Sequence, residues 1–157
     1  MKSAQTEKFW DAFCRNCAIT NADYEVVAFG DSPAMADELG LLILNGPKRA
    51  TAGLYSDFEG DIGSLPKVGA YVVVIDGKAA PLCIFQTTEV RIGPLSSVDE
   101  KFARDEGEGD RTREWWLAAH TEFFQRQAER EGFECTPDIE TVFERFKVVW
   151  PKGKADA

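Results

Sequence analysis

The stretch Gly46-Pro47-Lys48-Arg49-Ala50-Thr51-Ala52-Gly53 decides how this chain folds around its most reactive side chains. Gly and Pro together end a helix, so the apolar helix before this stretch stops here and the chain turns into a strand. The turn brings an amine, Lys48, within three residues of a hydroxyl, Thr51. In a straight strand these two side chains would point to opposite faces. They converge only if the turn after Pro47 is irregular, which the Gly-Pro pair permits.

The composition predicts one globular domain with an acidic surface. The 157 residues are 44% hydrophobic and 29% charged, and the formal net charge is −9. That charge argues against a duplex DNA partner but permits a local site at Lys48-Arg49 for a nucleoside or a short single strand. The sequence contains no apolar run long enough to span a membrane and no apolar signal core at its N-terminus. We therefore expect no membrane partner and a cytoplasmic location.

The cysteines are expected to be reduced and structural. The pair Cys14 and Cys17 has the spacing of metal or redox sites, but it falls within an amphipathic helix predicted over residues 7–18. The other candidate ligands, Cys83, Cys135 and His120, are scattered singly. We therefore predict neither a metal site nor a cofactor.

Hydrophobic periodicity and capping signals predict a mixed order of helices and strands. The expected helices are 7–18, one capped by Ser32 and ending at Gly46, a short one opened by a capping box at Ser97, and a long one over 112–131. The expected strands are an arm or strand in 21–30, then 50–55, 71–75, 82–91 and 141–150. A polar loop with Gly60 and Gly63 is expected over 57–67, and a frayed tail over 152–157. Hairpin-linked strands favour an α+β fold with an antiparallel or mixed sheet.

Thr51 and Glu106 are the candidates for a nucleophile and a proton carrier. A threonine hydroxyl attacks at neutral pH only when a partner takes its proton, and a lysine with a lowered pKa is one such partner. Glu106 continues the apolar line of Val98 and Phe102 on a helix, so its carboxyl should face the protein interior. A pKa raised toward neutrality would suit it to shuttle protons. A plain salt bridge to Lys48 is the alternative.

Three further titratable residues have structural interpretations. Glu108 and Asp110 follow the end of that helix and are expected to be solvated, although Glu108 could instead order the loop. His120 lies on the apolar face of the long helix and is interpreted as a core histidine. A chain with one histidine cannot use a two-histidine ribonuclease mechanism.

The stretch from Gly46 to Thr51 resembles the G-x-K-x-x-T signature of ASCH domains. Similarity to the longer bacterial branch of that family extends over about residues 24–149, and the helix 7–18 is expected to pack on this core as part of one ASCH domain, 1–157. The resembling segments include Phe29-Gly30-Asp31, Leu65-Pro66-Lys67-Val68-Gly69, Glu106-Gly107-Glu108-Gly109-Asp110 and Val142-Phe143-Glu144-Arg145-Phe146. The resemblance implies a PUA-like fold, a small mixed β-barrel of about five to six strands with flanking helices.

The resemblance also implies a hydrolase that removes the N4-acyl group of N4-acetylcytidine and related N4-acylcytosines. The family's catalytic residues carry over onto Thr51 as nucleophile, Glu106 as general base or proton shuttle, and Lys48 as the group that activates Thr51 and assists the leaving amine. Arg49, Gly53 and Glu108 are expected to bind substrate. Gly53 stands where short family members carry an arginine, so substrate orientation could differ.

Two alternatives follow from the same resemblance. One is cleavage of single-stranded RNA, in which the substrate's own 2′-hydroxyl attacks and Thr51 only binds. The other is a non-catalytic module that binds RNA or a modified nucleoside. The expected partner is therefore a small modified nucleoside or a short single-stranded RNA.

Overall fold

The computed structural model describes residues 1–58 and 65–157, and within them four helices and five strands form an α+β fold. The helices are α1 (Ala4–Cys17), α2 (Pro33–Asn45), α3 (Glu100–Glu106) and α4 (Arg113–Glu131). The strands are β1 (Tyr24–Val27), β2 (Ala50–Leu54), β3 (Tyr71–Ile75), β4 (Pro81–Pro94) and β5 (Glu140–Trp150). The predicted fold class is therefore confirmed. Gly60 and Gly63, expected in the polar loop, lie outside the described residues.

The five strands form one mixed sheet in the order β1-β3-β4-β5-β2. Only the β1–β3 pair is parallel, and the other pairs are antiparallel. The edge strands β1 and β2 are not hydrogen-bonded to each other in the described parts of the chain, so the sheet remains open where a barrel would close. Both edges line one cavity, which fills the opening between them.

Helices cover both faces of the sheet. On one face α2 packs through Ile43 against a cluster that includes Phe85 and Phe146. On the other face α1 packs through Trp10 and Phe13, and farther along that face α3 and α4 bury residues 102, 116 and 124 against β2 and β5. Because side chains alternate along each strand, apolar residues lie on both faces of the sheet and form two cores. Helix α2 covers only part of the sheet face on which it packs.

The helix ends follow from side-chain caps. Ser32 accepts a hydrogen bond from the Met35 amide at the start of α2, as predicted. The predicted capping box at Ser97 is wrong, because Ser97 bonds the Pro94 carbonyl and Asp99 caps α3 instead. The tail predicted to fray is held at Asp156, whose carboxylate accepts hydrogen bonds from residues 49 and 148.

No helix within the described ranges combines the length and hydropathy that a membrane span requires.

Candidate functional site

The turn that carries Lys48 is held between two helices. Its own amide donates to the Leu42 carbonyl of α2 at 3.2 Å, and the next amide, of Arg49, donates to the Asp105 carbonyl of α3 at 2.6 Å. Because β2 begins only at Ala50, Lys48 is not constrained by strand alternation. Lys48 and Thr51 line the same cavity, which confirms the prediction that they converge if the turn is irregular.

Gly107 allows the end of α3 to lie directly against this turn. Its φ is +73°, and a Cβ added there would lie 2.7 Å from the Lys48 backbone nitrogen. Only glycine adopts this conformation readily and fits in this space. The close approach brings the carboxyls on both sides of the glycine, Glu106 and Glu108, to the Lys48 ammonium.

Lys48 is buried with a side chain that is 1% exposed, and its ammonium is fully paired. Nζ donates to the Ala50 carbonyl at 2.9 Å, to Glu106 Oε1 at 2.6 Å and to Glu108 Oε2 at 2.8 Å. Burial alone would lower the pKa of Lys48, but the two carboxylates outweigh burial and raise it. A lowered Lys48 pKa, one of the two ways in which this lysine could assist Thr51, is therefore contradicted, and the two carboxylates favour the charged ammonium.

Glu106 is a buried carboxylate whose hydrogen bonds all come from groups of the protein. Its carboxylate is 1% exposed and accepts hydrogen bonds from Lys48, from Trp116 Nε1 and from His120 Nε2, the last at 3.0 Å. Burial opposes ionisation, but the neighbouring positive charges hold the pKa of Glu106 below its ordinary range. The predicted rise in its pKa is wrong, and the alternative of a salt bridge to Lys48 is confirmed.

Glu108 is the carboxyl in this group whose pKa rises. Its side chain is 17% exposed, so the prediction that it is solvated is wrong. Burial and the neighbouring Glu106 carboxylate raise the pKa of Glu108 above its ordinary value, against the pull of Lys48. A carboxyl with a raised pKa and partial access to solvent is suited to proton transfer.

His120 is packed as a core histidine would be, yet it also lines the cavity. Its ring stacks on Trp116 with centroids 3.8 Å apart, and its Nδ1 lies 2.9 Å from the Trp116 carbonyl. Both ring nitrogens face acceptors, so the doubly protonated ring satisfies every contact. Burial would lower the pKa of His120, but Glu106 outweighs burial and raises it.

These side chains surround a cavity of about 310 Å³, which we call the lysine cavity. Its polar lining includes Lys48, Thr51, Glu106, Glu108 and His120, together with the charged residues 38, 122 and 126. Its aromatic and aliphatic walls come from residues 29, 35, 39, 115 and 123. The volume is within the range of about 300–1,000 Å³ for small-molecule sites. Sequence reasoning named Lys48, Thr51, Glu106 and Glu108 as site residues but did not name His120 or the charged residues 38, 122 and 126.

A second cavity of about 570 Å³ adjoins the first and is here called the Glu144 cavity. The two share the wall residues 29, 30, 51, 52 and 123, so Thr51 faces both. The predicted substrate-binding residue Gly53 lines the Glu144 cavity. Sequence reasoning did not propose Glu144 as a site residue. Its carboxyl shares one face of β5 with apolar side chains, and that pattern could have identified it as a buried acid.

Arg49, also predicted to bind substrate, lies outside both cavities. Its guanidinium donates to the carbonyls of Ile43 and Lys48 at 2.8 and 2.7 Å and pairs with Asp156 at 2.9 Å. Strand alternation would place Arg49 on the same face as Thr51. Arg49 precedes β2, however, and its pairing with Asp156 holds its side chain at the C-terminal segment. Its arginine therefore joins the turn to the tail and does not reach the site.

Glu106, Glu108 and His120 offer ligand atoms within 4.8 Å of one another, a spacing that a metal ion could use. The Lys48 ammonium already lies between the two carboxylates at 2.6 and 2.8 Å and supplies the positive charge that they require. The donor set therefore fits an internal ammonium better than a divalent cation. Cys14 is half-buried and Cys17 exposed, both on α1 and remote from this group in the chain.

The sequence profile of the ASCH domain matches residues 25–150. The chain belongs to the ASCH domain family. This family groups RNA-binding and hydrolase-like proteins. No curated protein is similar enough in sequence to count as a match.

Solved structures agree with the ASCH assignment. The ASCH domain of Lactobacillus crispatus JV V101 is 31% identical, with a TM-score of 0.84, and the match covers 95% of this chain and 96% of that one. A protein from Enterococcus faecalis V583 is 34% identical, also with a TM-score of 0.84, over 92% of this chain and 88% of that one. The resemblance predicted from the sequence is thus confirmed at the level of family and fold.

Proposed function

We propose that this ASCH protein is an amidohydrolase that removes the acyl group from N4-acetylcytidine and related N4-acylcytosines. The observation that carries the proposal is the lysine cavity, where a threonine hydroxyl, a buried ammonium and a carboxyl with a raised pKa line one space of about 310 Å³. Amide hydrolysis needs these three functions: a nucleophile, a fixed positive charge and a reversible proton carrier.

In the proposed reaction Thr51 Oγ attacks the acyl carbonyl carbon while Glu108 accepts the hydroxyl proton. The resulting tetrahedral intermediate carries a negative oxygen. Because Glu108 is then neutral, the charges of Lys48 and His120 outweigh that of Glu106 and stabilise this oxygen through space, without a hydrogen bond from the fully paired Lys48 ammonium. The C–N4 bond then breaks, Glu108 returns its proton to N4, and cytidine leaves with the acyl group esterified to Thr51. A water molecule, deprotonated by Glu108, hydrolyses the ester, releases the carboxylic acid and restores Thr51.

Glu106 acts in this scheme by fixing the other groups. Because its carboxylate bonds Lys48, Trp116 and His120, it sets the position of the ammonium and remains ionised throughout. The resemblance assigned proton shuttling to Glu106, and the pKa directions favour Glu108 for that role.

The test is to incubate the purified protein with N4-acetylcytidine and to measure cytidine by chromatography. We expect release by the wild type, loss of at least about a hundredfold in Thr51→Ala, and partial retention in Thr51→Ser. Thr88→Ala is the matched control, because Thr88 is exposed on β4. Equal activity in Thr51→Ala and wild type would rule out the threonine mechanism.

Cleavage of single-stranded RNA is the second candidate, and His120 is the observation that favours it. A carboxyl base at Glu108 and an imidazolium at His120 share the cavity, and attack by a 2′-hydroxyl on phosphorus needs a base and an acid. To act as the acid, His120 must release its hydrogen bond to the Trp116 carbonyl or to Glu106. Thr51 does no chemistry in this reaction. RNA cleavage that survives in Thr51→Ala but fails in Glu108→Gln would favour this candidate over the amidohydrolase.

A further inference from the structure

The Glu144 cavity contains a buried acid beside the proposed nucleophile. Thr51 and Glu144 are directly opposed in the antiparallel β2–β5 pair, so their side chains leave the same face of the sheet. Opposed residues have Cβ atoms about 4.5–5.5 Å apart. Both residues line this cavity, and Glu144 is only 7% exposed. A ligand that contacts Glu144 is therefore within reach of Thr51.

Glu144 is paired with a hydroxyl and not with a cation. Thr87 Oγ1 donates to Glu144 Oε2 at 2.6 Å, across the neighbouring strand β4. Among the ion pairs of the described residues none includes Glu144. Burial raises the pKa of Glu144 and the Thr87 hydrogen bond only partly offsets that effect. A buried carboxyl without a cation is favoured in its neutral form.

A neutral carboxylic acid presents one donor and one acceptor side by side. The Thr87 hydroxyl marks Oε2 as the acceptor, which places the acidic proton on Oε1. The cytosine edge of an N4-acylcytosine offers the complement, with an acceptor at N3 beside a donor at N4–H. Val72, Phe85 and Val142 also line the cavity and provide apolar surfaces suited to the faces of a pyrimidine ring.

We propose that the Glu144 cavity holds the pyrimidine ring of the substrate and that Glu144, oriented by Thr87, binds its N3 and N4–H edge. This inference rests on the proposed amidohydrolase function for the identity of the base. It assigns the two cavities different tasks, with the ring held in the Glu144 cavity and proton transfer carried out in the lysine cavity. Thr51, on the wall that the cavities share, lies where the acyl carbon must be.

Binding of N4-acetylcytidine to the Thr51→Ala protein, measured by titration calorimetry, tests the inference without turnover. In that background Glu144→Met removes both hydrogen bonds at similar volume, and we expect the dissociation constant to rise about tenfold to a hundredfold. Glu144→Gln offers the same donor and acceptor without a titratable proton, so it should bind within about threefold of the parent. The matched control is Glu140→Gln, an exposed glutamate on the same strand.

The pH dependence separates recognition from a merely structural contribution. Binding to the parent should weaken as pH rises through the pKa of Glu144, while binding to Glu144→Gln should stay level. The other charged groups that line this cavity are Glu25, Asp57 and Lys67, and all three are present in both proteins, so they cancel in the comparison.

The outcomes also separate this inference from the proposed function. Two results would overturn the recognition role even if the wild type hydrolyses N4-acetylcytidine. One is undiminished binding to Glu144→Met. The other is an equal loss of affinity in Glu144→Met and Glu144→Gln when both variants unfold like the parent. Binding that depends on Glu144 in a protein without hydrolytic activity would support the recognition role and reject the amidohydrolase.

Discussion

At the scale of single residues, Lys48 uses its three ammonium hydrogens inside the protein, on the Ala50 carbonyl and on two carboxylates. Lys48→Ala leaves the buried Glu106 carboxylate without its main counter-charge. Removing one partner of a buried ion pair costs about 3–5 kcal/mol, because the remaining charge is uncompensated. We expect a loss of that size in the free energy of unfolding, measured by urea denaturation at pH 7.

Lys101 is the control for Lys48. It forms an ion pair with Asp105 at 3.0 Å, but its side chain is 76% exposed, and exposed pairs contribute little. Lys101→Ala should therefore leave the unfolding midpoint almost unchanged. Similar stability losses in the two variants would show that Lys48 has no special electrostatic role.

Glu108 should determine the acid side of the pH–rate profile. As a general base it acts when ionised, so activity should rise with pH through an apparent pKa above the ordinary 4.5 and be lost below it. Glu108→Gln should remove this rising limb and lower kcat by about 10²–10⁴. Initial rates with N4-acetylcytidine between pH 4 and 9 measure both effects. Glu114→Gln, an exposed control, should keep the wild-type profile, and a rising limb that persists in Glu108→Gln would assign it to another group.

His120 should make stability depend on pH near neutrality. Its folded-state pKa is raised above the ordinary 6.5, so its contribution to stability is complete below 6.5 and is lost as pH rises through the folded-state value. The unfolding free energy of the wild type, minus that of His120→Gln, should therefore decrease between pH 6 and 9. A difference that stays constant or grows over this range would mean that the ring is neutral in the folded protein.

Among single residues, the sequence identified those whose role depends on local spacing. Lys48 and Thr51 lie in one turn, and Glu106 continues a helical stripe, so their approach to the interior follows from the chain nearby. The direction of each pKa shift does not, because it depends on which charges meet through space. Lys48 and Glu106 were each expected to shift the other way, since neither expectation included both carboxylates and His120 around one ammonium.

At the scale of elements, the junction between α3 and the Lys48 turn depends on one glycine. In Gly107→Ala the new Cβ would lie 2.7–2.8 Å from backbone atoms of residues 47 and 48, at a φ of +73°. We expect the free energy of unfolding to fall by about 1–2 kcal/mol because of the left-handed strain, and by about 1–3 kcal/mol more because the turn is displaced. The kcat should fall as well, because the Glu106 and Glu108 carboxyls move with the turn. Urea denaturation and steady-state kinetics measure the two effects.

Gly132 is the matched control for Gly107. It ends α4 with a φ of +77°, yet a Cβ there has no neighbour within 4 Å. Gly132→Ala should therefore show the strain alone, with unchanged kcat. If the two alanine variants lose the same stability and keep the same kcat, close packing at Gly107 has no part in assembling the site.

Most elements could be predicted because their signals are local. Ser32 before Pro33 marks the start of α2, and a run of β-branched residues marks β3. Asp99 capped α3 in place of the predicted Ser97, since two capping residues stand close together and tertiary packing selects between them. Glu144 was assigned to the correct strand, but its proximity to Thr51 depends on the β2–β5 register, which no local pattern encodes.

At the scale of the whole molecule, the strand order brings distant segments to one place. β2 pairs with the last strand, β5, and not with the strands next to it in sequence. The Lys48–Thr51 turn consequently meets Glu144 from the end of the chain and Glu106 from the middle. The open side of the sheet between β1 and β2 then provides the space for the Glu144 cavity. The sequence-based prediction of a barrel with five to six strands anticipated this architecture. It did not specify which edge strands face each other.

Thr51 and Glu144 lie on the face of the sheet opposite to α1, so α1 tests whether packing on one face affects the cavities. Trp10 on α1 is 6% exposed and stacks on Tyr24 with centroids 5.0 Å apart, on the face opposite to Thr51 and Glu144. Trp10→Ala should lower the free energy of unfolding by about 3–5 kcal/mol, measured by urea denaturation. At a temperature where the variant remains folded, its KM for N4-acetylcytidine should equal that of the wild type, because neither cavity touches α1. Leu41→Ala, which truncates an exposed side chain on α2, should change neither quantity appreciably. A raised KM in folded Trp10→Ala would mean that packing on the α1 face controls the cavities, and that the two faces are coupled through the sheet.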